Sequence, residues 1–124
     1  MNSPRSVPPG WPASVRPPES PGWQRSAVAW LLDQCPHEYR GYPVITRHPP
    51  ALVRLTGHHV DSQLDAARRA LASIRVDLAD DLDPPAMLEL IETLEAEQVR
   101  LLAARRAVAL LADALSGRRY VPRL

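Results

Sequence analysis

The chain has 124 residues, 15 Arg with no Lys against 14 acids, and a formal net charge of +1. That length suits one small domain, and the near-neutral balance excludes the overall basicity of a general nucleic-acid binder. One cysteine, Cys35, excludes an internal disulfide, and no apolar run approaches the ~18 residues of a membrane span. The expectation is a cytoplasmic protein without membrane attachment.

Residues 1 to 21 hold half of the fourteen prolines and show no hydrophobic period. Such a segment offers little apolar surface to offset the entropy of ordering, so a disordered Pro-rich arm is expected. It also lacks the apolar core of a signal peptide. Trp11 is its one large ring, suited to docking on a partner or on the fold.

The folded part is expected to be a three-helix domain over 22–117. Ala27, Trp30, Leu31 and Gln34 follow helical spacing, and prolines bound the run, giving a first helix over about 22–35. "PHEYRGYP" reads as a turn. Val60, Leu64, Ala67, Leu71, Ile74 and Leu78 recur at steps of four and three, so a second helix with a heptad seam is expected over about 49–82. Gly57 is its weak point, or a place of close helix approach.

"DPP" at 83–85 supplies an N-cap and first-turn prolines for a third helix over about 84–116, closed by Gly117. A short loop makes the two long helices antiparallel. The fold class is therefore all-α: a long antiparallel helical hairpin with the short helix packed at its open end. The apolar run 101–115 requires more than one packing neighbour, which that helix provides. Toward the loop the hairpin would be a bare two-helix rod. Leu88, Ile91 and Val99 beyond its seam form a natural surface for a homodimer.

Between Val76 and Val99 there are eight acids and no base. Asp77, Asp80, Asp81, Glu89 and Glu92 in particular mark an acidic tip, suited to solubility or to a basic partner. Asp77, Asp80 and Asp81 sit where the helix dipole disfavours them. Residues 1 to 60 carry six Arg against three acids, and the basic tail 118–124 adds three more Arg. In the hairpin register Glu97 would reach Arg68 or Arg69.

All four histidines and the cysteine fall between residues 35 and 59. Their spacing matches no zinc pattern, and C-x-H fixes no nucleophile geometry, so the segment reads as a connector, with no metal or cofactor expected. "DLADDLD" lacks the glycine of a calcium loop. Phosphate-loop, nucleophile-elbow and metalloprotease motifs are absent, so no catalytic residue is assigned. Arg40, Tyr42, Arg47, Arg54, Arg118, Arg119, Tyr120 and Arg123 gather at the open end as a basic and aromatic contact surface that could meet phosphates and bases.

The stretches "PGW…SAVAWLLDQCP…YRGYPV…RHPPAL" and "LAARRAVALLADALSGRRYVPRL" resemble small helical proteins of actinobacterial genomes. The likeness covers most of residues 21 to 124 and implies a GC-rich bacterial source, but no activity. The function expected is a non-catalytic protein-interaction module, self-associating or docking on a larger assembly. The alternative is an accessory factor for RNA, ribosome or DNA working through the Arg/Tyr end.

Overall fold

Proline and aspartate set the ends of the helices in the computed structural model, which describes residues 7–117 and residue 121. In chain order these are α1 (Trp23–Asp33), a 3-10 helix (His37–Gly41), the single-turn α2 (Pro43–Thr46), α3 (Pro49–Asp77) and α4 (Pro84–Leu115). No strand occurs among the described residues. Asp83 caps α4, its Oδ1 accepting from the Ala86 amide at 2.9 Å, and Pro84 and Pro85 occupy the first turn, where a missing N–H costs nothing. Gly117, at φ +85°, supplies the left-handed residue that ends the helix.

Helix α3 stops at Asp77, five residues short of the expectation, and residues 78–82 form turns closed by the amides of Asp81 and Leu82 on the Leu78 carbonyl. Aspartate is a weak helix former, and Asp77, Asp80 and Asp81 face the negative end of the dipole, so the last expected turn has nothing local to hold it. The segment expected as a plain turn after Cys35 instead winds into the 3-10 helix and α2, with Pro43 at the helix start.

Helices α3 and α4 pack against each other along their lengths. A Cβ built on Gly57 would lie 3.7 Å from Val108 Cγ1, so the start of α3 meets the end of α4 and the pair runs antiparallel. The core lies at this end. Ala27 and Leu31 of α1, Leu52 and Val60 of α3, and Leu101 and Leu111 of α4 are all buried there. The inner face of α1 is carried by Ala27, Leu31 and Leu32, while Trp30 and Gln34 are only half-buried.

The Pro-rich segment departs from the expected disordered arm wherever it is described. From residue 7 to 21 it follows three successive turns, in which the amides of Trp11, Val15 and Ser20 donate to the carbonyls of Pro8, Pro12 and Pro17. Val15 enters the core at 3% exposure, Trp11 packs beside it, and the Trp11 indole N–H donates to the Val15 carbonyl at 2.9 Å. Arg106 Nε on α4 donates to the Pro9 carbonyl at 2.9 Å. Gly10, at φ +95°, lies so close that a Cβ there would meet Arg106 Nε at 2.8 Å. Proline restricts the unfolded chain, so ordering this segment costs less entropy than its composition suggests.

Candidate functional site

The Cys/His segment meets the helices in a cleft of about 380 Å³, lined by residues 33–36 at the end of α1, by His59 and Gln63 of α3, and by Arg100 of α4. Thr56, fully buried, donates its hydroxyl to the Leu52 carbonyl at 2.8 Å. Its oxygen lies 3.1 Å from Cys35 Sγ, so with that proton spent the thiol is the donor of the pair. Burial pushes the Cys35 thiol pKa up, and the Arg40 charge offsets this only in part. A protonated thiol is a poor nucleophile.

Tyr39 Oη lies 2.6 Å from His59 Nε2, with the two rings edge to face at 5.2 Å between centroids. Gln63 Nε2 reaches the Gln34 carbonyl at 3.4 Å. These contacts clamp the α1 exit and the 3-10 helix onto α3. His37, His48 and His58 point to solvent, and among the described residues no three His, Cys, Asp or Glu side chains gather as a metal site. Sequence reasoning did not find Thr56. The signal was its place one turn from both Leu52 and Val60, on the inner face of α3.

The basic and aromatic surface is only partly described. Arg118, Arg119, Tyr120 and Arg123 lie outside the described residues. Arg40 is committed to Asp33 through a 2.6 Å ion pair, while Arg47 and Arg54 are exposed and Tyr42 is half-exposed against Tyr39.

The rod toward the loop differs in kind. From Arg68 to Arg100, spanning the loop, Ile91 is the one buried residue, at 6% exposure. Leu71, Ile74 and Leu78 of the α3 seam stay half-buried, as do Met87, Leu90 and Leu94 of α4. The same heptad pattern is fully enclosed at Leu64 and Leu101, both at 2%. Leu88 and Val99 are exposed at 57% and 68%, but Ile91, expected beside them on the outer surface, turns inward. It lies one residue from Leu90 and three from Leu94, which puts it on the flank of the seam that faces α3.

Six exposed acids lie on the same half of the rod, and on α4 Glu92 and Glu95 fall on the side away from Leu90 and Leu94. Asp77, Asp80, Asp81, Glu89, Glu92 and Glu95 are exposed and have no ion-pair partner among the described residues. Glu97 does not reach across the hairpin as the register suggested. It pairs with Arg100 on its own helix, Arg100 Nε donating to Oε2 at 3.0 Å, and Arg69 pairs with Asp65. The Arg100 hydrogen bonds hold the Glu97 carboxyl below its usual pKa. No described helix is long and apolar enough to cross a membrane. Compared with family models, curated proteins and solved structures, the chain matches none.

Proposed function

We propose that this protein is a non-catalytic helical interaction module, whose docking surface is the loop half of the α3–α4 hairpin. The observation that carries the reading is the change in burial along one continuous seam. Leu64 and Leu101 are sealed by a third layer, whereas Leu71, Ile74, Leu90 and Leu94 keep an open side. A two-helix layer cannot enclose its own seam, and a third or fourth helix closes it in bundles.

The Cys35 cleft favours the same reading from the other direction. Its thiol is held protonated against Thr56, His59 is bonded to Tyr39, and these contacts tie the α1 exit and the 3-10 helix to α3. The direct test places an aspartate at Leu94 and follows assembly by light scattering and by copurification from the native host. Loss of a complex that the parent chain forms supports the reading. A parent chain that is monomeric and recovers no partner overturns it.

A further inference from the structure

We infer that residues 7–16 are an exchangeable arm: the segment that closes the core of its own chain also closes the core of a second copy, with residues 17–22 as the hinge. The arm is built like a ligand. Two proline-led turns, 8–11 and 12–15, set Trp11 and Val15 four residues apart, and the Trp11 indole ties them together by donating to the Val15 carbonyl. Proline holds such turns in few conformations before they dock, so docking loses little entropy.

The seat is as specific as the arm. Val15 is 3% exposed within the core, Arg106 of α4 donates to the Pro9 carbonyl, and the Arg16 amide donates to Ser26 Oγ of α1 at 3.0 Å. At Gly10 the chain passes α4 so closely that a Cβ would meet Arg106 Cδ at 2.9 Å. An occupant therefore needs a glycine, an indole and a buried aliphatic residue in this order, which every copy of the chain carries.

The hinge is where the closed form is strained. To bring the arm back onto α1, Glu19 takes φ +67° and Gly22 takes φ +76°. Glycine enters that region freely, but a side chain there crowds the following carbonyl. Pro17, Pro18 and Pro21 favour an extended chain in themselves and in the residues before them. In an extended hinge Glu19 returns to negative φ, and six residues reach about 20 Å, enough to cross to a copy alongside. The bond from Arg16 Nη1 to the Pro21 carbonyl, which spans the closed hinge, is exposed, so water replaces it. Closed monomer and exchanged dimer make the same arm contacts, so the hinge and the protein concentration set the balance between them. The arm and its seat lie at the open end of the hairpin, so exchange is independent of docking on the loop half.

The experiment unfolds the full chain in urea, refolds it over a range of protein concentrations and reads mass by light scattering after equilibration. The expected result is a monomer in dilute samples and a dimer that grows with concentration. Glu19→Gly relieves the strain of the closed hinge, and should lower the association constant at least about tenfold, because each dimer relaxes two hinges. Val15→Asp removes the arm's anchor and should abolish the dimer, whereas Leu94→Asp should leave it unchanged.

A monomer at every concentration overturns the inference. So does a dimer that Glu19→Gly leaves equally tight, or one that Leu94→Asp dissociates, which would assign it to the seam. A dimer that Val15→Asp strengthens also overturns it, because emptied seats would then meet directly. If Val15→Asp fails to fold, Glu19→Gly decides alone.

Discussion

The burial step along the hairpin seam can be measured as a difference between two leucines. Leu64, at 2% exposure, is enclosed by α1, α3 and α4, so truncation to Ala removes buried methyl groups and leaves a cavity that its neighbours cannot fill. Leu→Ala at such sites costs about 2–5 kcal/mol, and full enclosure by three helices puts Leu64 near ~3.5 kcal/mol. Leu94 follows the same heptad rule but is only half-buried in the isolated chain. Water enters the space its side chain leaves, so no cavity term arises and only the partial transfer term is lost, about 1–1.5 kcal/mol. In urea, with a slope of about 1.5 kcal/mol/M, the midpoints should fall by roughly 2 M for Leu64→Ala and less than about 1 M for Leu94→Ala. The readout is far-UV circular dichroism at low protein concentration. Equal losses at the two positions would refute the argument, because Leu94 would then be enclosed as fully as Leu64. A Leu94→Ala loss that grows with protein concentration would show that copies cover the seam in solution.

Gly57→Ala should stabilise the fold by about 0.5–1 kcal/mol, since Gly57 lies inside α3 and the new methyl meets Val108 at an ordinary 3.7 Å; a lower melting temperature would mean that the helices approach more closely there. Val15→Ala should cost about 1–2 kcal/mol through loss of buried methyls, and a neutral result would show that the Pro-rich segment contributes nothing to the core. Cys35 should alkylate more slowly near neutral pH than the thiol of the urea-unfolded chain, because its folded pKa is raised by burial. The sign for stability follows. Folding retains the thiol proton, so stability is unaffected below the ordinary thiol pKa and falls as pH rises through the interval up to the raised one. Cys35→Ser should flatten that alkaline decline, and an unchanged pH profile would count against the buried, Thr56-bonded thiol. Glu97 works in the other direction. Its lowered pKa gives a contribution present above the usual carboxylate range and lost as pH falls through the lowered value, and Glu97→Gln should remove that part of the acid sensitivity in a urea titration.

The long helices were legible because their signals agree. A seam of threes and fours, first-turn prolines and the Asp83 cap all specify α3 and α4. What escaped was set by contacts distant in sequence. The order of residues 7–21 depends on Arg106 reaching the Pro9 carbonyl and on Val15 entering a core made by three later helices, neither of which a local reading of a proline-rich stretch can contain. Ile91 was placed on the outside because its neighbours Leu90 and Leu94 already satisfied the heptad, but the flank of the seam also faces α3. The pairing of Glu97 with Arg100 rather than with Arg68 or Arg69 has a simple cause. A residue three positions along the same helix is always within reach, whereas a cross-hairpin partner must also match the register.

The charge pattern acquires its meaning only when the two halves of the rod are compared. The open half joins several of its polar groups to one another: Thr56 with Cys35, Tyr39 with His59, Arg40 with Asp33, Arg106 with the Pro-rich segment. The loop half does the opposite, leaving both apolar and acidic groups unmatched on the same few turns. On α4, Glu92 and Glu95 share a line with the exposed Leu88 and Val99, on the side of the helix away from Leu90 and Leu94, so the acidic face and the half-buried seam are separate surfaces of the same few turns.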